Sequence, residues 1–186
     1  MQVKNYKEPF YHSIIEDFYS DIELSDILAE IKDLKEHSLG PSETGDPRAN
    51  TLMTAVQLDR HYINRRNDSK ILTHNRKMFY LEEELKDNPF ARYLPYTNDD
   101  VTQLNYYKDG AEYKHHADHG VLSAVTILHD EPKQYIGGDL VFTDYNYIPK
   151  LKNNTTILFS SFQQHGVTPC AGNGRYSINQ FYFINR

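Results

Sequence analysis

Residues 101–129 have the sequence VTQLNYYKDGAEYKHHADHGVLSAVTILH, and this stretch decides the fold. Short segments rich in valine, isoleucine, threonine and tyrosine alternate there with turn residues such as Asp109-Gly110. β-Branched and aromatic residues favour strands, whereas aspartate followed by glycine favours a tight turn. We therefore predict that the chain folds mainly into strands from about residue 100 onward.

The same alternation continues to the end of the chain, where Gly137-Gly138 and Gly172-Asn173-Gly174 mark further turns. The predicted strands are 101–107, 111–118, 123–129, 139–145, 155–160, 166–170 and 177–184. Many short strands at this spacing are typical of a sandwich, a barrel or a jelly roll.

The first hundred residues carry helical patterns instead. Apolar residues recur at three- and four-residue spacings between residues 21 and 37, which predicts an amphipathic helix with Ser20 or Asp21 as its N-cap. A second helix is predicted from about residue 68 to about residue 87. Residues 51–58 have a composition that suits a strand.

With 186 residues, the chain is predicted to form a single domain, 1–186, of the mostly β (α+β) class. Residues 1–100 form its helix-rich part with at least one strand, and residues 101–186 form the β core. Because the helices precede the strands, we expect them to pack on one face of the sheets.

Composition excludes several classes of protein. Hydrophobic residues make up 39% and charged residues 25%, as in a soluble globular domain, and the net charge of −6 makes nucleic acid an unlikely partner. The single cysteine, Cys170, excludes an intramolecular disulfide and is expected to be a small buried side chain. With no long apolar run and no apolar leader at the start, we expect no membrane span and a cytoplasmic location.

His116 and Asp118 are two residues apart, so on a strand their side chains point to the same face. A further histidine from a distant strand would complete a 2-His-1-carboxylate triad, which suits Fe(II) and leaves coordination positions open. The tripeptide alone equally suits a solvated polar strand. His115 and His119 would point away from such a triad and are expected at the surface.

The motifs around this tripeptide are more specific. Tyr107-x-x-Gly110-x-x-Tyr113 precedes it, SAVTILHDEPKQYIGGDL (123–140) and KLKNNTTILFSSFQQHGVTP (150–169) follow, and Arg175-Tyr176-Ser177 lies ten residues beyond His165. In combination these motifs resemble the Fe(II)- and 2-oxoglutarate-dependent dioxygenases of the prolyl 4-hydroxylase-like group. They look especially like the bacterial PKHD-type hydroxylases, over residues 101–184.

The resemblance implies a double-stranded β-helix (jelly-roll) core with supporting N-terminal helices. It also implies that His116, Asp118 and His165 bind Fe(II) and that Arg175 pairs with the distal carboxylate of 2-oxoglutarate. That last role suits the chemistry of the side chain, because a guanidinium donates two parallel hydrogen bonds to a carboxylate.

Further co-substrate contacts are expected from Tyr107, Asn105 and Ser177. Tyr107 begins the Tyr-x-x-Gly element, and Asn105 and Ser177 share the faces of Tyr107 and of the arginine by the period of two. Where other members of the group place a co-substrate-binding tyrosine, this chain has Ile127. The arginine would then depend on Ser177, Thr126 or Tyr107 for help.

The implied reaction is hydroxylation of a C–H bond with Fe(II), 2-oxoglutarate and O2, giving succinate and CO2, with ascorbate as the reductant. Prolyl residues of proteins or peptides are the expected substrates, and small molecules remain open. The carboxylate of Asp118 favours hydroxylation over halogenation, because related halogenases have a small residue there. Loops 39–50, 59–70 and 143–150, with Tyr145 and Tyr147, are candidates for the entrance.

Two other functions remain open. Asn105-x-Tyr107 ahead of the His-x-Asp tripeptide resembles the AlkB-like nucleic-acid demethylases. However, Phe181 stands six residues after Arg175, where that group carries a second arginine. A non-catalytic jelly roll that binds a metal or a partner is the other alternative, although such a module would not need both a complete ligand set and Arg175. The sequence does not give the oligomeric state.

Overall fold

The computed structural model describes residues 1–44 and 48–185. The helices are α1 (Asp21–Asp33), α2 (Leu58–His61), α3 (Lys70–Asn75) and α4 (Glu82–Leu85). The strands are β1 (Gln2–Tyr6), β2 (His12–Glu16), β3 (Asn50–Thr51), β4 (Thr54–Gln57), β5 (Asp99–Tyr107), β6 (Glu112–His116), β7 (Leu122–His129), β8 (Tyr135–Gly137), β9 (Leu140–Phe142), β10 (Thr155–Ser160), β11 (His165–Val167), β12 (Cys170–Gly172) and β13 (Arg175–Phe183). Short 3-10 segments lie at Leu34–His37, Arg66–Asp68, Arg76–Tyr80, Ala91–Tyr96 and Thr143–Tyr145.

Two antiparallel sheets form the core of the molecule. The major sheet has the strand order β1-β2-β10-β7-β13-β5-β4, and the minor sheet has the order β3-β6-β11-β9. β8 and β12 form a separate two-stranded antiparallel ladder. The predicted mostly β fold with a jelly-roll core is confirmed.

The long strand β13 shows how the sheet separates an apolar face from a polar one. Its even-numbered residues Tyr176, Ile178 and Tyr182 are buried in the largest hydrophobic cluster, together with apolar residues of the helices. Its odd-numbered residues, among them Arg175 and Ser177, face the other side of the sheet and line a cavity. Because side chains alternate along a strand, one sequence builds both surfaces.

Helix α1 begins where the sequence predicted. The Ser20 hydroxyl accepts a hydrogen bond from the backbone N–H of Glu23, and the Glu23 carboxylate accepts one from the N–H of Ser20. This capping box satisfies backbone donors that the helix start would otherwise leave unpaired. The buried face of α1, including Ile27 and Ile31, packs against the major sheet, so the helices lie on one face of the sheet as expected.

Two of the N-terminal predictions were wrong. The second helix is not continuous, because α3, a 3-10 segment and α4 divide residues 70–85, and each piece buries its own apolar side chains. Residues 51–58 do not form one strand either. Leu52 has a left-handed backbone with φ of 62°, so the chain leaves β3 in the minor sheet and enters β4 in the major sheet.

The sequence analysis missed β1 and β2, which extend the major sheet through the pairing of β2 with β10. The predicted strand 111–118 ends at His116, 139–145 ends at Phe142, and 166–170 is divided between β11 and β12. Cys170 is buried with 1% of its surface exposed, as predicted. No helix within the described residues is long and apolar enough to cross a membrane.

Candidate active site

A cavity of about 640 Å³ lies between the two sheets. His116, Asp118 and His165 line it from the minor sheet and the loop that follows β6, and Arg175 lines it from the start of β13. The residues that the sequence singled out for metal and co-substrate chemistry therefore share one cavity.

The register of the minor sheet brings the two histidines together. His116 ends β6 and His165 begins β11, and the two residues are directly paired. Their Nε2 atoms lie 3.4 and 3.5 Å from the two carboxylate oxygens of Asp118. Since one ligand atom from each residue lies within 4.8 Å of the other two, the three side chains can hold one metal ion.

The other ring nitrogen of each histidine has a backbone partner. Nδ1 of His116 lies 3.0 Å from the carbonyl oxygen of Lys114, and Nδ1 of His165 lies 2.8 Å from that of Gln163. A carbonyl only accepts hydrogen bonds, so Nδ1 carries the proton and Nε2 keeps its lone pair. Each Nε2 therefore faces Asp118 in the tautomer that a metal ligand requires.

Asp118 lies in the loop after β6, and the prediction that strand geometry positions its side chain was wrong. Its backbone N–H donates to the carbonyl of Ser161 at 2.9 Å. The Ser123 hydroxyl donates to its Oδ2 at 2.6 Å and lies 2.8 Å from the Ser161 hydroxyl. Two neighbouring elements, β7 and the end of β10, thus hold the carboxylate.

The protonation states suit a divalent cation. Burial raises the pKa of Asp118, but the positive charge that His116 and His165 carry when protonated, together with the hydrogen bond from Ser123, outweighs it, so the pKa lies below its usual value. Burial lowers the pKa of His165 below its usual value. A carboxylate anion beside a neutral imidazole is a donor set that fits Fe(II).

Arg175 is a buried cation with an incomplete set of partners. Only 1% of its surface is exposed, its Nε donates to the carbonyl of Gly138 at 2.7 Å, and its guanidinium lies 4.1 Å from the ring centre of Tyr107. Its two terminal nitrogens, however, have no hydrogen-bond partner within the described chain. Because an uncompensated buried charge is costly, this fork is suited to the carboxylate of a ligand in the cavity.

The other co-substrate candidates lie beside Arg175 and line the same cavity. Tyr107 is the direct cross-strand partner of Arg175, and Asn105 is that of Ser177. Nδ2 of Asn105 donates to the Ser177 hydroxyl at 3.2 Å. The four residues therefore form two adjacent pairs on the floor of the cavity. One pair is Arg175 with Tyr107, and the other is Ser177 with Asn105.

The expectation that Thr126 helps Arg175 was wrong. Thr126 lies on the opposite face of β7, where its hydroxyl is 2.7 Å from that of Thr156. Ile127 is on the inner face but packs in an apolar cluster with Leu140 and Phe142.

The remaining histidines and the predicted entrance residues stay outside the metal triad. His115 and His119 are exposed as expected, although His119 also lines the cavity. Tyr145 and Tyr147 pack against Phe10, and within the described residues no side chain of 59–70 or 143–150 lines the cavity. Arg48 lines it from the segment 39–50, of which residues 45–47 lie outside the described chain.

Several residues that line the cavity were missed by the sequence analysis: Gln57, Gln103, Asn179, Phe181 and Phe183. Three of them continue the period of two that begins with Arg175 and Ser177 on β13. Gln103 precedes Asn105 by the same period on β5. That alternation was the available signal, and it was followed only as far as Ser177.

The part of the chain that contains most residues of this cavity is similar to a known family. Residues 102–183 match the family model of the 2OG-Fe(II) oxygenase superfamily. No curated protein matches the sequence.

Several solved structures share the fold. The prolyl-4-hydroxylase of Pseudomonas putida is 20% identical, with a TM-score of 0.69 over 94% of this chain and 93% of that one. A viral collagen prolyl hydroxylase from Paramecium Bursaria Chlorella virus-1, solved with 2-oxoglutarate, is 17% identical, with a TM-score of 0.56 over 94% and 97% of the two chains. A Trichoplax adhaerens prolyl hydroxylase, in complex with a peptide fragment of hypoxia inducible factor, is 15% identical, with a TM-score of 0.65 over 92% and 83%.

Proposed function

We propose that this chain, whose residues 102–183 match the family model of the 2OG-Fe(II) oxygenase superfamily, is a dioxygenase that uses Fe(II), 2-oxoglutarate and O2 to hydroxylate a prolyl residue of a protein or peptide. Succinate and CO2 are the proposed co-products, and ascorbate is the proposed reductant that keeps the iron ferrous. The observation that carries the proposal is one cavity that contains both the His116-Asp118-His165 cluster and the unpartnered guanidinium fork of Arg175.

In this proposal His116, Asp118 and His165 would hold Fe(II), with the lone pairs of the two Nε2 atoms and the Asp118 carboxylate available as ligands. When bound, the iron supplies the oxidising chemistry that couples decarboxylation of 2-oxoglutarate to hydroxylation of the substrate. The backbone carbonyls behind the two histidines keep the ligand nitrogens unprotonated. Ser123 orients the carboxylate by donating a hydrogen bond to it.

Arg175 anchors the distal carboxylate of 2-oxoglutarate with its two terminal nitrogens, which have no hydrogen-bond partner among the described residues. Its Nε bond to Gly138 fixes the plane of the guanidinium, and the ring of Tyr107 covers one face of it. Asn105 and Ser177 form the next pair toward the metal and provide polar contacts along the co-substrate. The low exposure of Arg175 and Tyr107 keeps bulk water away from this end of the cavity.

The proposed prolyl substrate is supported by three solved prolyl hydroxylases of similar fold, from a bacterium, a virus and Trichoplax adhaerens. The last of these was solved with a peptide bound. A protein or peptide substrate is therefore the best-supported class for the open side of this cavity.

The test is 2-oxoglutarate turnover by the purified protein with Fe(II), ascorbate and O2. Succinate is quantified for wild type, Asp118→Ala and Arg175→Ala, and proline-containing peptides are screened for the gain of one oxygen atom. Wild type is expected to form succinate and both variants very little. If the Fe(II) protein neither forms succinate nor binds 2-oxoglutarate without O2, the proposal is wrong and a non-catalytic jelly roll replaces it.

A further inference from the structure

Three carboxamide side chains lie in one row across the floor of the cavity. On neighbouring strands of the major sheet, Asn179 of β13 pairs directly with Gln103 of β5, and Gln103 pairs directly with Gln57 of β4. All three residues line the cavity. Directly paired residues of a sheet project to the same face, so their amide groups form a continuous polar strip.

The strip begins beside the metal triad and leads away from the co-substrate end. Ser123, which holds Asp118, pairs with Phe181, the next inward-facing residue after Asn179. Arg175 lies four residues from Asn179 along β13, or about 13 Å at the usual rise of a strand.

Gln57 lies two strands to the side of Asn179, about 10 Å away, on β4, the last strand of the sheet. The outer part of the strip is therefore outside the path between the co-substrate anchor Arg175 and the metal triad.

The inner end of the strip has an unused hydrogen-bond acceptor. Oδ1 of Asn179 is buried and has no hydrogen-bond partner within the described residues. Nε2 of Gln103 donates to Oδ1 of Asn105 at 2.7 Å, which fixes the orientation of the central amide. Because a buried acceptor without a partner is costly, Asn179 is suited to a ligand that brings an N–H donor.

The chemistry of the strip is neutral and offers both donors and acceptors. The aromatic residues Phe181 and Phe183 follow Asn179 on the same face of β13 and also line the cavity. A ligand that matches these surfaces has uncharged amide groups next to an apolar ring. The main chain of a polypeptide around a proline has this combination, whereas a phosphate backbone would need cations in the strip.

We propose that Gln57, Gln103 and Asn179 form a subsite that binds the main-chain amide groups of the polypeptide substrate. The identity of the ligand rests on the proposed prolyl hydroxylation. Asn179 accepts a substrate N–H close to the metal. Gln57 binds the part of the peptide that leaves the cavity over β4.

Binding rather than turnover tests this subsite. The protein is loaded with Mn(II) and 2-oxoglutarate, so that no reaction occurs, and retention of short synthetic peptides with a central proline is quantified by mass spectrometry. A matched pool carries an N-methyl group on the residue after the proline, which removes one N–H donor. Asn179→Leu and Gln57→Leu are compared with Asn67→Leu, which replaces an exposed carboxamide outside the cavity.

Each cavity variant is expected to bind the peptides about tenfold more weakly, the effect of losing one well-made hydrogen bond. Asn67→Leu is expected to bind like wild type, and the N-methylated pool is expected to bind wild type more weakly than the parent pool. Thermal unfolding with and without 2-oxoglutarate verifies that each variant is folded.

Three results would overturn the subsite: equal retention by wild type and both cavity variants, equal retention of the two pools, or no retention by wild type. A fourth result separates the two proposals. If retention depends on Asn179 and Gln57 but the Fe(II) protein hydroxylates none of the retained peptides, the subsite stands and the proposed reaction is wrong.

Discussion

Replacing Arg175 with methionine removes the guanidinium while keeping an unbranched side chain of similar length. Two terminal nitrogens without partners would form two charge-assisted hydrogen bonds to a carboxylate. At about 1.5 kcal/mol each, the low end for bonds to charged groups, their loss amounts to about 3 kcal/mol, or roughly a hundredfold in the dissociation constant of 2-oxoglutarate.

The same substitution has a second, opposite consequence in the absence of the co-substrate. It removes a buried charge whose fork is unpaired, which is favourable, but also the Nε bond to Gly138 and the contact with Tyr107. These effects offset each other, so we expect the free energy of unfolding to stay within about 1 kcal/mol of wild type. Arg175 is thus predicted to contribute to binding rather than to folding.

Two measurements test this prediction. Calorimetric titration of the Mn(II)-loaded protein without O2 gives the dissociation constant of 2-oxoglutarate. Thermal unfolding gives the free energy of unfolding. At a 2-oxoglutarate concentration one hundred times the wild-type dissociation constant, this free energy should rise by about 2.7 kcal/mol in wild type and hardly at all in Arg175→Met. Arg92→Met, at an exposed position, is the matched control. A dissociation constant in Arg175→Met within threefold of wild type would refute the reasoning.

Three further outcomes follow from contacts in the structure. Ser123→Ala removes the hydrogen bond to Asp118 and should weaken the binding of Fe(II) or Mn(II), measured by metal titration, by about 10- to 100-fold. Unchanged metal affinity would mean that Ser123 does not orient the Asp118 carboxylate. Gly138→Ala places a Cβ 2.6 Å from Cδ of Arg175, at a backbone φ of +65° that favours glycine. The variant should therefore bind 2-oxoglutarate about tenfold more weakly while its metal affinity is kept. Equal loss of both affinities would indicate general misfolding. Burial lowers the pKa of His12 in the folded state, so the folded chain binds fewer protons than the unfolded chain below the ordinary pKa of 6.5. Stability from this residue is therefore present above pH 6.5 and lost as the pH falls, and urea midpoints at pH 7.5 and 5.0 should differ less for His12→Gln than for wild type.

The parts of the fold that the sequence predicted are those in which local pattern and burial agree. The predicted strand 155–160 matches β10, whose residues are all buried between β2 and β7. The N-terminal strands β1 and β2 escaped prediction because QVKNY and HSIIE mix charged, polar and apolar residues without a clear alternation. β2 becomes a strand by pairing with β10, which is more than a hundred residues away in the sequence, and β1 then pairs with β2.

The candidate site likewise has one part that follows from local sequence pattern and one part that depends on long-range contacts. The residue types and the same-face relation of Arg175 and Ser177 follow from the sequence, because a period of two is a local property. The three metal-triad residues were named through the resemblance of the motifs to a known family and not through local periodicity, since their proximity depends on the pairing of His165 with His116 and on a loop that returns Asp118 to Ser161. Those are long-range contacts, and the tripeptide His-x-Asp contains no information about them.

Two buried polar groups on the cavity floor have no hydrogen-bond partner among the described residues. Their positions argue for two ligands rather than one. The fork of Arg175 requires an anion, and Oδ1 of Asn179 requires a neutral donor or a water molecule. On the inward face of β13, Arg175 lies at the start of the strand and Asn179 at its middle, with Ser177 between them, and Asp118 is held at the level just beyond Asn179. An anionic co-substrate that extends from Arg175 toward the metal leaves the outer carboxamides Gln103 and Gln57 uncovered. Under the proposed function, the order of side chains along β13 would separate the co-substrate from the polypeptide substrate, and the metal triad would lie where the two ligands meet.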